Sequence, residues 1–576
     1  MLDEMFSRLM PGERVCSTCH NSFMISADDI SALRKLRVSA PHECPVCRMR
    51  RRMAMMANIF QFYRKDCAEH AGEKVVSQMD SEIPYKIYDN DFRWDPNAWD
   101  ATTYGRDYVS GGSFSGQLSK LLADVPHMAI ARYNKNIINS DYTVDSFDVK
   151  NCYLSSTIGV SENVFYSLWV VYTKDSMDAL RVDHVDHSYE VIYSDRIYKC
   201  RYIQNCNNCT DSAFLFYCHN CQNCFGCYNL RNKKYCFENI QLTQKEYLTK
   251  IKEFDLSRRS VVKDYEKKFA EMVESDAVHK AVIIRNSPGA SGDHLADCRN
   301  CVGVYCAASM KWILTFYKNE NVRYSQDIIG TSDSMDVTIF GPGELCYNVM
   351  EGMSSNKAVC SYFVSNCLEV EYCFECSDCK YCFGCSGLKK KRYCILNKQY
   401  TESEYWKMLD EIKTEMLKEG IYGDFISLSN SFFYYQDTYA QAMLPLSKEK
   451  ADALGARWKT SETLVETKGL KILSASDVPD NIADVADEIL NTAIICKETG
   501  KPFRIVKAEL DFYRKQMIPV PVFHPQERLL KRFQKRNPYV LWQSKCLNCR
   551  KEITTTYDPA RKLKVYCEEC YHTEVM

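Results

Sequence analysis

The chain contains no uninterrupted apolar run of about 18 residues, the length that a membrane-spanning helix needs. Its first segment, Met1–Met10, carries acidic residues and lacks the apolar core of a signal peptide. An excess of one charge is also missing, because 74 Lys and Arg residues oppose 75 Asp and Glu residues. Any attraction to a polyanion must therefore come from local patches. We expect a cytoplasmic protein without a membrane partner.

Cysteine, by contrast, is abundant, and its 31 residues are sorted by position. In a reducing compartment, cysteines at CxxC spacing are more often metal ligands or packed thiols than disulfides. Two sets have zinc-ribbon spacing, in which two CxxC knuckles converge four thiolates on one ion. They are Cys16, Cys19, Cys44 and Cys47, and Cys546, Cys549, Cys567 and Cys570. We expect one Zn²⁺ at each set, two in all, and a hairpin over Glu552–Val565 within the second.

A third ribbon-like segment has lost most of its ligands. Cys496 aligns with Cys16 at an offset of 480 residues that stays constant to position 527. The other three ligand positions hold Thr499, His524 and Glu527, which form a weak set for a soft zinc site. A metal-free ribbon held by its core is the preferred interpretation, and a Cys-His-Glu metal site is the alternative.

The middle of the chain is an internal duplication with a six-residue period. Residues 162–250 align with residues 320–408 at an offset of 158, so that the Asp-Ser-Met-Asp of Asp175–Asp178 reappears at Asp333–Asp336. A small or apolar residue at nearly every sixth position predicts a β-solenoid, and three sides of six predict a coil of about 18 residues. The repeated acids are interpreted as solvated, with a bound cation as the alternative.

Twenty-one cysteines lie in this duplicated region, between Cys152 and Cys394. Packed thiols are the preferred interpretation, because free cysteine behaves as a small buried hydrophobe. Metal sites and disulfides are the alternatives. A second cysteine series lies three residues from the first, so either a corner separates the two series or some thiols face outward. A capping box ends each copy and predicts a helix there, at Thr243 with Glu246 and at Thr401 with Glu404.

Two basic segments beside ribbons are the candidate nucleic-acid contacts. They comprise Arg48, Arg50, Arg51 and Arg52 after the first ribbon, and Arg528, Lys531 and Arg532 after the degenerate one. A zinc module that fixes a basic, aromatic-bearing helix is suited to the phosphate backbone of RNA, DNA or a ribonucleoprotein. The alternative is that these residues form a solvated helix face. The protein would then bind protein partners instead of nucleic acid.

Common catalytic signatures are absent: no phosphate-binding glycine loop, nucleophile elbow or His-Glu-x-x-His occurs. Hexapeptide acyltransferases share the six-residue period but need a catalytic histidine. The histidines of the first copy have no counterparts in the second, since His184, His187 and His219 align with Pro342, Leu345 and Ser377. The equivalent His127 and His279 are interpreted as structural. The sequence predicts a non-catalytic zinc-binding scaffold, with a hexapeptide-type transferase as the disfavoured alternative.

The predicted fold is mainly β with helical connections: two tandem β-solenoid-like modules flanked by zinc ribbons. The predicted domains are a zinc ribbon with a basic helix (1–66), a connector (67–124), two solenoid copies with helical tails (125–272 and 273–415), a second connector (416–490), a degenerate ribbon with a basic helix (491–537) and a last zinc ribbon (538–576).

Several segments resemble those of uncharacterised bacterial proteins that have zinc-ribbon ends and a cysteine-rich repeat centre. They are Cys16–Arg52, Tyr104–Asp107, the Cys-Phe-Gly-Cys repeats at Cys224–Cys227 and Cys382–Cys385, and Cys567–Tyr571. The resemblance spans nearly the whole chain and implies zinc at the two terminal sets, but it brings no established activity. The middle ribbon of such proteins holds fuller cysteine sets, from which this chain departs.

Overall fold

The computed structural model describes residues 6–58, 61–70, 72–132, 135–306, 319–328, 330–460, 467 and 469–575. The chain forms two units, each assembled from distant stretches. The first unit combines Met1–Ile130 with Val282–Thr460, and the second combines Ala131–Ala281 with Ser461–Met576. The first unit therefore contains the second solenoid copy, and the second unit contains the first copy.

The helices of the described residues are short, and none has the length and apolar character that crossing a bilayer requires. They are α1 (Ala27–Leu36), α2 (Pro45–Met53), α3 (Asn90–Trp94), α4 (Phe114–Asp124), α5 (Gln244–Ile251), α6 (Arg259–Ser275), α7 (Glu402–Lys418), α8 (Tyr439–Met443), α9 (Lys448–Ala453), α10 (Lys507–Gln516), α11 (Pro525–Gln534) and α12 (Glu568–Val575). Both predicted capping boxes are confirmed, at the starts of α5 and α7.

The strands are more numerous than the helices and fall into four stretches of the chain. Before the first solenoid copy lie β1 (Gly12–Val15), β2 (Ser22–Ile25), β3 (Tyr63–Asp66), β4 (Lys74–Ser77), β5 (Ile87–Tyr88) and β6 (His127–Met128). The first copy contains β7 (Ile137–Ile138), β8 (Thr143–Lys150), β9 (Ser155–Phe165), β10 (Leu168–Val171), β11 (Lys174–Met177), β12 (Leu180–Asp186), β13 (Tyr189–Tyr198), β14 (Arg201–Gln204), β15 (Asn207–Thr210), β16 (Ala213–Phe216), β17 (Phe225–Tyr228), β18 (Cys236–Phe237) and β19 (Ile240–Gln241).

The third stretch begins with β20 (Val278–Lys280) and continues through the second copy. It contains β21 (Ile284–Arg285), β22 (Gly292–Asp293), β23 (Leu295–Ala296), β24 (Cys298–Arg299), β25 (Val304–Tyr305), β26 (Asn319–Glu320), β27 (Gln326–Ile328), β28 (Thr331–Ser332), β29 (Thr338–Phe340), β30 (Gly343–Glu344), β31 (Met350–Met353), β32 (Ser355–Val359), β33 (Tyr362–Ser365), β34 (Leu368–Glu371), β35 (Lys380–Phe383), β36 (Arg392–Ile395) and β37 (Lys398–Gln399). Beyond it lie β38 (Lys471–Ser474), β39 (Thr492–Ile495), β40 (Pro502–Phe503), β41 (Trp542–Lys545), β42 (Glu552–Thr555) and β43 (Lys564–Tyr566).

The solenoid of the second unit is built from parallel strands that pair at a step of 12 residues. Successive partners in one register are Leu168, Leu180, Ile192, Gln204 and Phe216. A hydrogen bond from the Asn151 amide to Asn163 spans the same 12 residues. The coil is therefore 12 residues long, with two stretches of six residues rather than three. The predicted 18-residue coil is wrong, whereas the predicted fold class of a β-solenoid flanked by zinc-ribbon-like ends is confirmed.

The coil turns at every third residue, where the backbone adopts the left-handed conformation. Asn205, Asn208 and Asp211 are three consecutive corners, with φ of 54°, 51° and 48°. Asn and Asp tolerate this conformation better than most side chains. The residue after each corner points inward, so Cys206 and Cys209 both face the core and are buried. A corner thus separates the two cysteine series, and neither series faces outward.

The inward thiols also satisfy backbone groups of the coil. The Cys200 thiol donates to the Tyr198 carbonyl at 3.4 Å, and Cys209 donates to the Asn207 carbonyl at 3.5 Å. Serine does the same at equivalent positions: the Ser188 hydroxyl donates to the Asp186 carbonyl at 2.8 Å. A small side chain with a weak donor therefore suits these positions, which supports packed thiols as the role of the central cysteines.

The solenoid of the first unit follows the same rules, except for one longer coil in which Cys298 pairs with Asn319 and Tyr305 with Gln326. Thr338, Met350 and Tyr362 are successive partners at the 12-residue step. Five consecutive inward positions are occupied by buried cysteines: Cys373, Cys376, Cys379, Cys382 and Cys385. Each solenoid ends in an antiparallel pair, β18 with β19 and β36 with β37. Residues 67–124 and 416–490, interpreted from the sequence as connectors, carry helices and strands of their own.

Candidate metal centres

The first four-cysteine set is gathered at the turn of the β1–β2 hairpin and the start of α2. Cys16 follows β1, and Cys44 is the N-cap residue of α2, with Pro45 in the first turn. The Cys19 and Cys44 sulfurs lie 3.7 Å apart, and the Cys44 N–H donates to the Cys16 sulfur at 3.3 Å. Hydrogen bonding between Cys44 and Cys47 lowers the pKa of Cys44 and raises the pKa of Cys47, because one proton is shared between the two sulfurs.

The last set is built in the same way in the second unit. Cys546 follows β41, and Cys567 immediately precedes α12. The Cys549 and Cys567 sulfurs lie 3.8 Å apart, and the Cys567 N–H donates to the Cys546 sulfur at 3.3 Å. The hairpin predicted over Glu552–Val565 is wrong: β42 pairs with β41, whereas β43 pairs in parallel with β20.

Both sets match the dimensions of a tetrathiolate zinc site. Within each set, the four sulfurs lie within 4.8 Å of one another. A tetrahedral ion with zinc–sulfur bonds of about 2.3 Å places its ligands about 3.8 Å apart. Four thiolates also close the coordination sphere, which is typical of structural rather than catalytic zinc.

We expect metal analysis of reduced, freshly purified protein to give two equivalents of zinc per chain, because two closed sets are present. Inductively coupled plasma mass spectrometry measures this directly. Cys67→Ser should leave the count at two, since Cys67 belongs to neither set. Fewer than two equivalents would contradict the assignment, and a value well above two would make the solenoid cysteines ligands.

The degenerate ribbon that begins at Cys496 keeps the ribbon fold, but it does not bring its candidate ligand atoms together. The His524 N–H donates to the Cys496 sulfur at 3.3 Å, as the Cys44 N–H does to Cys16. The His524 ring, however, accepts a hydrogen bond from the Gln526 N–H and lies edge-on to Phe503, with centroids 6.0 Å apart. Burial lowers the pKa of His524 to about 4. The imidazole thus caps α11 and packs in the core, which favours the metal-free interpretation.

The basic helix α2 lies against the solenoid of its own unit. Arg48 Nε is 2.5 Å from Asp336 Oδ2, and Arg52 Nη1 is 3.4 Å from Asp336 Oδ1. Arg52 also donates to the Thr338 hydroxyl at 3.0 Å. Arg52 and Asp336 are both fully buried, and Arg48 is 4% exposed. Burial lowers the pKa of Arg52 to about 10, against the opposing effect of Asp336, so the side chain stays charged at neutral pH.

The second unit repeats this arrangement with the equivalent residues. Arg528 and Arg532 of α11 lie 3.0 Å and 2.8 Å from the carboxylate of Asp178. All three side chains are buried. The Tyr166 hydroxyl donates to Glu509 at 2.9 Å, as the Tyr324 hydroxyl of the first unit does to Asp29 at 3.1 Å. The two offsets of the sequence, 480 between ribbons and 158 between solenoids, thus describe one interface built twice.

This interface corrects two expectations. The last acid of each Asp-Ser-Met-Asp motif is not solvated but buried, and the cation that it holds is an arginine of a ribbon helix. Arg48, Arg52, Arg528 and Arg532 are in turn withdrawn from any phosphate backbone, because buried ion pairs occupy them. The arginines lie on the faces of α2 and α11 that point toward the solenoids, whereas the sequence predicted that these faces point toward solvent.

The three remaining predicted nucleic-acid contacts are partly accessible and already paired. Arg51 lies against Glu43 and donates to the Phe425 carbonyl at 3.0 Å. Arg50 lies 3.8 Å from the Cys47 sulfur. Lys531 lies 2.9 Å from Glu498. Whether nucleic acid binds through them stays a prediction.

Two further donor clusters, missed in the sequence, lie at corners of the first solenoid copy. Asp183, His184 and Asp195 form one, and Asp175, Asp186 and His187 form the other. The sequence signal that could have revealed them is the Asp-His-Val-Asp-His run of Asp183–His187, once it is aligned with the preceding and following coils. The His184 and His187 rings lie 2.7 Å and 2.6 Å from the neighbouring Asp183 and Asp186 carboxylates, so these partly exposed groups form ion pairs among themselves when the rings are protonated.

The buried histidines have structural surroundings. His127 lies 3.1 Å from the Glu375 carboxylate and 2.7 Å from the Leu122 carbonyl, and is fully buried. His279 is buried against Phe216 and Tyr557. Both environments fit the structural role expected for these two residues.

No protein-family model matches the chain, and no match is found among curated proteins. The resemblance to uncharacterised bacterial proteins therefore stays a prediction. The function has to be argued from the geometry alone.

Proposed function

We propose that the protein is a non-catalytic, zinc-stabilised scaffold that binds protein partners on its solenoid surfaces in a reducing cytosol. The observation that carries this proposal is the inward orientation of both basic helices. Their central arginines neutralise Asp336 and Asp178 inside each unit, so a ribbon fold clamps each solenoid: the zinc ribbon in the first unit and the metal-free ribbon in the second.

The metal centres support a structural role. Four sulfurs around each position leave no coordination site for a substrate or an activated water molecule. The ion then contributes folding free energy to its ribbon. In the first unit, that ribbon presents the arginine helix α2 to the solenoid.

The solenoid surface supports partner binding because it is regular and rigid. Along one edge, amide side chains form a ladder in which Asn139 donates to Asn151 at 2.9 Å and Asn151 donates to Asn163 at 3.1 Å. A second ladder joins Asn208 to Asn220 at 2.9 Å. Stacked repeats with fixed side-chain spacing are the surfaces that repeat proteins use for recognition.

The proposal predicts that purified protein carries no nucleic acid. The ratio of absorbance at 260 and 280 nm should be that of protein alone and should not change after a high-salt wash. Binding of a labelled, unspecific RNA should be weak, because four of the seven predicted contacts are buried. Protein partners that co-purify without cross-linking should instead stay bound in high salt, since their contacts do not depend on counterion release.

A matched pair of variants separates this scaffold from a nucleic-acid binder. Arg50→Ala with Arg51→Ala and Lys531→Ala removes the accessible cations, whereas Lys545→Ala with Arg550→Ala and Lys551→Ala removes an equal number of exposed cations from the last ribbon. Salt-sensitive RNA binding that the first triple alone abolishes would overturn the proposal. It would restore nucleic acid as the ligand.

A further inference from the structure

The hairpin β3–β4 and the segment that follows it repeat the architecture of the last ribbon. Tyr63 pairs with Ser77 and Asp66 with Lys74 in antiparallel register. Cys67 directly follows β3, as Cys546 directly follows β41. The Cys67 N–H donates to the Glu73 carbonyl at 2.9 Å, and the Cys546 N–H donates to the Lys551 carbonyl at 2.8 Å. The turn after Cys67 thus has the hydrogen bond of the first knuckle of the last ribbon.

The second half of the motif matches as well. The Ala68 N–H donates to the Ile87 carbonyl at 2.8 Å, where the Leu547 N–H donates to the Val565 carbonyl at 3.0 Å. Ile87 lies in β5, which pairs in parallel with β6, and Val565 lies in β43, which pairs in parallel with β20. The partners opposite these two residues are His127 and His279, the equivalent residues that precede the two solenoid copies.

A short helix then begins at the expected place. Asp89 is the N-cap residue of α3, in the position that Cys567 occupies before α12. The offset is 479 residues between Cys67 and Cys546 and 478 between Asp89 and Cys567. Strand pairing, knuckle hydrogen bonds and helix start therefore agree along the whole segment from Tyr63 to Trp94.

We propose that Tyr63–Trp94 is a zinc-ribbon fold in which an aromatic pair has replaced the ion, and that it retains the backbone of a latent four-ligand metal site. Cys67, His70, Asp89 and Phe92 occupy the positions of Cys546, Cys549, Cys567 and Cys570. Phe92 has no donor atom, so the set is incomplete.

The aromatic side chains fill the place of the ion. The His70 and Phe92 rings meet edge-on with centroids 6.1 Å apart, and Tyr88 adds a second edge-on contact to Phe92 at 4.9 Å. Cys67 is buried at 3% exposure. The hairpin and helix are thus held together without metal.

Each unit then holds two ribbon folds, one complete and one degenerate, in opposite order. The first unit pairs the complete set of Cys16 with the degenerate one of Cys67, and the second unit pairs the degenerate set of Cys496 with the complete one of Cys546. Cys67 and Cys496, the two cysteines outside every other group, are the remaining first ligands of the two lost sites.

The test restores the missing ligands in the full-length chain. The triple variant His70→Cys, Asp89→Cys, Phe92→Cys completes four cysteines with Cys67. Zinc content should rise from two to three equivalents, and cobalt substitution should add the charge-transfer and ligand-field bands of a third tetrathiolate site. Adding Cys67→Ser to the triple should return the count to two.

A folded triple variant that keeps two equivalents would overturn the proposal. If the triple variant fails to fold, the single variant Phe92→His tests the proposal instead. It keeps an aromatic ring at position 92 and completes a Cys-His-Asp-His ligand set with one substitution. Binding of a third cobalt equivalent supports the latent site, and a folded Phe92→His variant that binds only two refutes it. Both readouts concern metal content and are independent of the partner-binding function proposed for the solenoids.

Discussion

Replacing Cys16 by serine is expected to release one of the two zinc ions and to unfold the first ribbon. Structural zinc in small ribbons contributes on the order of 10 kcal/mol or more to folding, so three thiolates cannot sustain the hairpin. Hydrogen exchange read by mass spectrometry should show loss of protection across Gly12–Met53. The second unit should keep its protection, because it holds its own ion and its own solenoid.

Two variants control this experiment. Cys546→Ser should give the mirror image, with exchange confined to the second unit. Cys496→Ser should change neither zinc content nor exchange beyond its own ribbon, since that sulfur makes its hydrogen bonds within the ribbon, with His524, Thr499 and Glu498. Loss of protection in both units after Cys16→Ser would show that one metal supports the whole chain and would contradict the assignment of one ion to each unit.

Replacing Asp336 by asparagine is expected to destabilise the first unit by about 3–5 kcal/mol. The change leaves the Arg48 and Arg52 guanidinium groups buried without a countercharge, and uncompensated buried charge carries a penalty of that size. Urea unfolding, followed by exchange in peptides of each unit, measures the effect and assigns it to one unit.

The same motif supplies the control. Asp333→Asn removes an acid whose ion pair with Lys35 is partly exposed, and such pairs contribute about 0–1 kcal/mol. Asp178→Asn should cause a smaller loss in the second unit, because Arg528 keeps Glu509 at 3.5 Å and Arg532 keeps Glu190 at 3.1 Å as countercharges. Equal and small losses for Asp336→Asn and Asp333→Asn would mean that water reaches the arginines and that the interface is not a buried clamp.

The ribbons could be predicted because metal coordination fixes residue type and spacing locally. Four cysteines at two CxxC knuckles specify one site with little help from the rest of the chain. The degenerate ribbon was visible through its constant offset from the first. The ribbon at Cys67 was not, because one cysteine and a helix of five residues leave no pattern that survives without the hydrogen bonds of the backbone.

The solenoid was predictable in class but not in coil length. A period of six fits coils of 12 or 18 residues equally well, and only strand register decides between them. The sequence did contain a sign of the three-residue spacing of the corners. Asn or Asp directly before an inward cysteine, as at Asn205 and Asn208, marks a left-handed corner. Four such corners per coil leave room for 12 residues.

The role of the basic helices depended on a partner that is distant in sequence. Arg48 and Asp336 are separated by 288 residues, and nothing in either segment alone points to the other. A run of arginines next to aromatics has the same composition whether it faces phosphates or a buried carboxylate. The doubled pairing of equivalent residues in both units distinguishes the two roles, and it appears only once the chain is folded.

The interleaving of the two units sets an order for folding during synthesis. The 288 residues between Arg48 and Asp336 take about 15–60 s to emerge from a ribosome that adds about 5–20 residues per second. During that interval the first ribbon can bind its ion, but its arginine helix has no solenoid to cover it. The interval between the synthesis of Asp178 and that of Arg532 is longer still. A nascent chain therefore exposes the arginines of α2 and the carboxylate of Asp178 before the residues that pair with them have been synthesised.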